Sequence, residues 1–116
     1  MFQAQLLMAG TDVYSPWFKR GGDDLRATLE VVAQSGGNAL TVRVFTKKEE
    51  DTGDGTDADS SVTLSLSAVG RDTDEWISTA STGLKDMVRY KFSLAGSTGW
   101  ALFRMLPPVW FDAVKV

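Results

Sequence analysis

The sequence predicts an all-β protein: one antiparallel β-sandwich of about eight strands over residues 1–116, with jelly-roll-like or related Greek-key connections. Three observations lead to this prediction. Apolar and polar residues alternate with a period of two in several short segments. Glycine-rich turn sequences separate these segments. Helical sequence is confined to a single candidate turn near residues 83–86, and the length suits one domain.

The strands are predicted from side chains that share a parity along the chain. Segment 2–9 is a first candidate strand, and the segment around Trp76, 100–106 and 109–116 are further ones. Each segment would have one solvent-exposed face and one buried face, which is typical of strands in antiparallel sheets. The residues predicted to point inward are Leu25, Ala27, Leu29, Val31 and Ala33, then Leu40, Val42 and Val44, then Val62, Leu64, Leu66 and Ala68, and finally Val88, Tyr90, Phe92 and Leu94.

Turn sequences lie between the strands. Residues 35–38, Ser-Gly-Gly-Asn, separate two alternating runs so closely that they predict a β-hairpin. Residues 20–24, 69–74 and 95–99 predict further turns. The pair Pro107-Pro108 has no place in a central strand, so it marks a bend or a sheet edge.

The composition excludes several classes of function. Cysteine and histidine are absent, so this sequence provides no thiol nucleophile, no Ser-His-Asp triad and no histidine or thiolate zinc site. The net charge of −3 and the scattered basic residues argue against nucleic acid. No apolar run approaches the ~20 residues of a membrane helix, and the N-terminus does not resemble a signal peptide. We therefore expect a non-enzymatic protein without a cofactor.

An acidic loop, residues 47–61, is the most polar part of the chain. Calcium loops place oxygen ligands at alternate positions and end on a bidentate Glu, and this loop does not follow that pattern. We therefore predict a strand connection without a metal ion. Repulsion among the acids should make an isolated loop mobile, unless a basic surface, such as that of another copy, orders it. Its carboxylates are Glu49, Glu50, Asp51, Asp54, Asp57 and Asp59.

Two aromatic stretches are candidates for contact with partners. In residues 12–22, aromatic side chains surround Pro16 and precede two basic residues and two glycines. In residues 106–114, bulky apolar groups occupy both parities of one strand, and Phe45 similarly lies on a polar face. Such residues plug a sandwich end, contact a partner or stack on a sugar. The residues predicted to form an interface are Trp17, Phe18, Lys19, Arg20, Trp110 and Phe111.

Residues 14–55, from Tyr-Ser-Pro-Trp-Phe-Lys-Arg-Gly-Gly-Asp-Asp through Thr-Lys-Lys-Glu-Glu-Asp, resemble small β-rich virion proteins of tailed bacteriophages. The resemblance is to proteins of the capsid decoration, or cement, type and covers about a third of the chain. It implies a virion structural protein that binds the major capsid protein and copies of itself. It also implies a homo-oligomer, with a trimer among the assemblies considered, and transfers no site residues.

Two rival functions remain open from the sequence. A carbohydrate-binding β-sandwich would use the same aromatic side chains for stacking and could hold a structural calcium in residues 49–59. A small carboxylate-dependent enzyme would need a cleft with two convergent acids. We expect neither nucleic acid nor a membrane as a partner.

Overall fold

The computed structural model describes residues 3–77 and 84–112, and every regular element among them is a β-strand. The predicted all-β class is therefore confirmed. The candidate helical turn includes Gly83, which lies outside the described residues, and residues 84–86 are not helical. The strands are β1 (Gln5–Met8), β2 (Asp12–Tyr14), β3 (Phe18–Lys19), β4 (Asp24–Ser35), β5 (Leu40–Lys47), β6 (Thr56–Asp57), β7 (Leu64–Leu66), β8 (Gly70–Trp76), β9 (Met87–Leu94), β10 (Trp100–Met105) and β11 (Val109–Phe111).

The eleven strands form two antiparallel sheets that are each four strands wide. In the first sheet, β10 and β11 lie end to end along one side of β4, interrupted at Pro107-Pro108, while β8 covers the other side of β4 and β1 pairs with β10. In the second sheet, β2 and β3 lie end to end along β9, interrupted at Pro16, and β6 and β7 lie end to end along β5. The prediction of about eight strands holds when interrupted strands are counted once.

The order of the strands is that of a jelly roll. The first sheet runs β1, β10/β11, β4, β8, and the second runs β2/β3, β9, β5, β6/β7. Except between β5 and β6/β7, successive strands alternate between the two sheets, which pack face to face as in a jelly roll built from two Greek keys. The topology therefore places chain neighbours in different layers.

The predicted hairpin at 35–38 is wrong for this reason. β4 and β5 belong to different sheets, and each already has a partner on both sides. Gly36 and Gly37 adopt positive φ angles of 98° and 64°, a conformation that glycine allows without strain. The two glycines thus carry the chain around a corner between layers.

The core lies between the two inner faces. The inward parities of residues 25–31, 40–44 and 88–94 are all buried, as predicted. Aromatic rings fill the centre, where the Phe92 and Phe103 ring centroids are 4.9 Å apart and those of Tyr90 and Phe92 are 6.0 Å apart. Burial of its phenol raises the pKa of Tyr90. Inward alternation therefore explains most of the core.

Two predicted inward residues do not point into the core. A register shift between β4 and β10 pairs Ala33 with Leu102, which faces outward, so Ala33 is only half-buried. Segment 61–69 forms a strand only over β7, and Ala68 is exposed where the chain crosses to β8. The predicted turn at 69–74 is also wrong, because most of it forms β8, whose polar residues pair with β4 at a sheet edge.

Candidate functional site

The acidic loop is held against the second sheet by basic side chains of the same chain. No group of three or more acids in residues 3–77 and 84–112 is placed to hold a metal ion. Within the loop, the Nζ of Lys47 donates a hydrogen bond to the carbonyl of Asp51 at 3.1 Å. The basic surface that orders the loop therefore belongs to the chain itself. The ion pairs, with their N–O distances, are Lys19–Glu49 (3.5 Å), Arg43–Asp57 (3.0 Å) and Arg89–Asp54 (3.6 Å).

The buried acid of the loop, Asp59, acts as a turn former. Its carboxylate accepts hydrogen bonds from the backbone N–H and the hydroxyl of Ser61, at 3.0 and 2.6 Å. These bonds hold the pKa of Asp59 below its ordinary value of 3.8. A carboxylate bonded to its own backbone in this way fixes the approach to β7.

A cation–aromatic cluster covers the outer face of the second sheet beside the acidic loop. Arg89 lies between two rings, with its guanidinium carbon 4.0 Å from the Tyr14 centroid and 4.5 Å from the Trp17 centroid. Arg89 also donates to the carbonyl of Asp54 at 3.1 Å. Cation–π contacts and a charge-assisted hydrogen bond therefore join the loop to the sheet. The cluster consists of Tyr14, Trp17, Phe45, Lys47, Arg89 and Lys91.

Trp17, which was predicted to contact a partner, packs largely on its own chain. Lys47 lies over its ring at 4.6 Å in addition to Arg89. Gly55 lies against the same ring, since a Cβ at this glycine would be 2.8 Å from the Trp17 ring. The indole of Trp17 thus forms part of the surface against which the acidic loop packs.

Phe18 and Trp110 close one end of the sandwich. The Phe18 centroid lies 5.5 Å from that of Tyr90 and 6.4 Å from that of Trp110, and both residues pack against the core while half-buried. Gly21 allows the indole to approach, because a Cβ there would lie 2.7 Å from Cδ1 of Trp110. The structure thus brings together two predicted interface residues and places them as an end plug.

The other predicted interface residues lie around this end of the sandwich. Lys19 is exposed and pairs with Glu49 of the acidic loop. Arg20 donates to the carbonyl of Leu84 at 2.8 Å. Phe111 is half-buried with the guanidinium of Arg26 5.9 Å from its ring centroid. Contact with a partner stays a prediction for all six residues.

An apolar strip crosses the outer face of the first sheet at the opposite end of β4. Its first two rows pair Leu6 with Leu102 and Met8 with Trp100 across β1 and β10. Leu6 is 61% exposed, and the valine at position 69 is 64% exposed. We define the outer strip as Leu6, Met8, Val32, Val69, Trp100 and Leu102.

A register shift in β4 lies within the outer strip. The shift falls between the pairs Val31–Phe103 and Ala33–Leu102. Val32 keeps the outward parity of β4 and is exposed, whereas Ala33 leaves the inward parity and pairs with the outward-facing Leu102. The sequence carried a signal for the strip, since apolar residues occupy both parities in 6–8 and 31–33. The prediction of interface residues relied on aromatic clusters and missed it.

A shallow depression of about 290 Å³ opens beside Val32 and Val69. Glu30 lies at its edge and accepts hydrogen bonds from Arg71 and Arg104 at 2.5 and 2.7 Å. The hydrogen bond from Arg71, aided by Arg104, holds the pKa of Glu30 below its ordinary value of 4.5. The depression is thus lined by valines on one side and by the paired charges of Glu30 and Arg71 on the other.

Comparison of the chain with models of protein families, with curated proteins and with solved structures finds no match. Within the described ranges, no helix has the length and apolar character needed to cross a membrane. The two surfaces are therefore interpreted from their own residues.

Proposed function

We propose that this chain is a non-enzymatic structural protein of a bacteriophage particle. In this proposal it is a capsid decoration protein that binds the major capsid protein and copies of itself on the virion surface. The observation that carries the proposal is the outer strip. Soluble monomers rarely expose contiguous apolar side chains over a large area, and such patches mark interaction sites.

Two further features support the same function. Jelly rolls occur in viral capsid domains, although they also occur in lectins, so the fold agrees with the proposal without deciding it. The resemblance of residues 14–55 to virion proteins of the cement type is independent of the fold. Together they favour a protein that acts by occupying many equivalent positions, where repetition adds avidity to each weak contact.

The geometry gives the carbohydrate-binding alternative little support. Sugar stacking needs an open aromatic face, and the rings of Tyr14 and Trp17 both have cations placed over them. A glycan array probed with the purified chain, with and without chelator, should show no binding. Binding that depends on calcium would favour the alternative over the decoration role.

The decoration role is tested on phage particles whose genome encodes this chain. Quantitative mass spectrometry of purified particles should find the chain in a fixed, small-integer ratio to the major capsid protein. Absence of the chain from purified particles would refute the proposal. Its presence at only a few copies per particle would indicate another virion role and would also contradict decoration.

The surface is tested by rebinding to particles that lack the chain. Val69→Glu places a charge in the outer strip and should lower occupancy at least ~10-fold, because an unpaired charge is costly at a desolvated contact. Val109→Glu is the matched control, since Val109 is also exposed on the first sheet but lies opposite Arg26, far from the outer strip. Equal loss in both variants would count against the outer strip.

A further inference from the structure

Within residues 3–77 and 84–112, β1 has a partner strand on one side only, and its free edge differs from the other edges of the two sheets. Natural sheets protect their edges with charges, prolines, bulges or covering loops, because an unprotected edge pairs with another chain. β8 carries four charged residues, β2/β3 is interrupted at a proline, the short β11 follows Pro107-Pro108, and the acidic loop interrupts β6/β7. β1 has the sequence Gln-Leu-Leu-Met, with no charge, proline or glycine.

The hydrogen-bonding pattern shows which backbone groups of β1 face this edge. Ala9 donates to the carbonyl of Gly99 at 3.0 Å, so these two residues form a hydrogen-bonded pair in the register of β1 and β10. Such pairs alternate along an antiparallel ladder. Leu7 therefore bonds to β10, whereas Leu6 and Met8 direct their N–H and C=O groups outward.

A side-chain contact supports this assignment. The hydroxyl of Thr11 donates to the carbonyl of Met8 at 2.5 Å, which requires that carbonyl to point away from β10. The same carbonyl keeps a second lone pair for another donor. The side chains of Leu6 and Met8 stand on the outer face and are mostly exposed, whereas Leu7 is buried.

From this arrangement we propose that β1 pairs antiparallel with β1 of a second copy about a two-fold axis at Leu7. In this register Leu6 of each copy lies opposite Met8 of the other, and the outward N–H and C=O groups of the two residues bond to one another. The interface is self-complementary and closed. The first sheet of one copy joins the first sheet of the other into one continuous sheet, and the outer strips of the two copies become a single apolar band.

We propose a second copy of the chain as the binding partner because the free edge of β1 is complementary to an identical edge related by a two-fold axis. A two-fold pairing needs bonding residues spaced symmetrically about a central residue, and Leu6 and Met8 meet this condition around Leu7. It also needs cross-strand neighbours that do not repel, and leucine opposite methionine is an apolar pair. The inference concerns the free protein and is independent of the decoration role.

Sedimentation equilibrium in free solution, without particles, tests the dimer. At about 100 µM, in the range of a weak specific contact, the wild-type chain should approach twice its monomer mass of 12.6 kDa. Leu6→Pro should be monomeric, because proline removes an N–H that faces the free edge and leaves the bonds to β10 intact. Val109→Glu should dimerise as the wild type does.

Hydrogen exchange provides a readout that needs no variant. The amides of Leu6 and Met8 should gain at least ~10-fold protection between dilute and concentrated wild-type protein, whereas the amide of Ala9 should not change. A wild-type chain that stays monomeric, forms trimers, or shows no such gain would overturn the inference. Failure of this test leaves the decoration role standing, and absence from particles leaves the dimer standing.

Discussion

Replacing Arg89 with methionine should release the acidic loop and lower the free energy of unfolding by about 3 kcal/mol. Only 12% of the Arg89 side chain is exposed. Its guanidinium contacts the rings of Tyr14 and Trp17 and donates to the carbonyl of Asp54. Methionine keeps most of the apolar stem of arginine, so the substitution removes mainly the charge and its contacts.

The magnitude follows from these contacts. Each cation–π contact at a partly buried site contributes about 1 kcal/mol. The hydrogen bond from a charged donor to the Asp54 carbonyl contributes about 1.5 kcal/mol. The ion pair adds little, because the carboxylate of Asp54 is 97% exposed and 3.6 Å from the guanidinium. The buried Nε of Arg89, which has no hydrogen-bond partner in the described part of the chain, offsets a fraction of the gain.

Urea unfolding of Arg89→Met, with Asp54→Asn as the matched control, measures the effect. The asparagine variant keeps the backbone carbonyl that Arg89 binds and removes only an exposed charge, so its loss should stay below about 0.5 kcal/mol. Hydrogen exchange should show that residues 49–56 lose protection in the methionine variant only. Equal losses in the two variants would mean that the ion pair holds the loop, and the reasoning would fail.

Three further predictions concern other contacts. Gly55→Ala should cost at least about 2 kcal/mol in urea unfolding, because its φ is +78° and a Cβ would meet backbone 2.7 Å away, whereas Gly53→Ala, with open space around it, should be near neutral. Trp110→Ala should cost about 2 kcal/mol by removing the end plug, with Val109→Ala below about 0.5 kcal/mol as the control, and equal losses would contradict the plug. Glu30 has a lowered pKa, so its contribution to stability is present above pH 4.5 and lost as pH falls through the folded-state pKa. Glu30→Gln should therefore flatten the decline of the melting temperature on acidification, and an unchanged decline would count against its pairing with two arginines.

Much of the core could be predicted from the sequence because burial acts on each strand separately. Residues 25–31, 40–44 and 88–94 alternate, and one parity of each is buried. The partners of a strand are set by the whole fold. Residues 35–38 resemble a hairpin locally, yet both flanking strands are paired on both sides by distant segments. Residues 70–74 look like a turn because an edge strand keeps its polar side chains in water.

The predicted site residues also show that contacts set by the whole fold do not follow from the local sequence pattern. The sequence predicts that Trp17, Phe18 and Trp110 contact a partner. In the structure much of their surface packs within the chain, Trp17 against the acidic loop and Phe18 and Trp110 at the end of the sandwich. Which aromatic side chains a fold covers depends on loops that the local pattern does not specify. The outer strip needed a different signal, namely apolar residues on both parities of β1 and at the shift in β4.

Both outer faces of the sandwich carry ion pairs, which on the first sheet join Arg26 to Glu75 and Glu30 to two arginines. The faces differ in the outer strip, and this difference matters for the proposed decoration role. The second sheet carries paired charges, cations over rings and an anchored acidic loop, so covering it would mean desolvating several charged groups. The outer strip of the first sheet carries uncharged side chains whose removal from water is favourable. A protein that adheres to a shell and still faces solvent needs one surface of each kind. We therefore expect the outer strip to face the shell or another copy, and the acidic loop to stay in water.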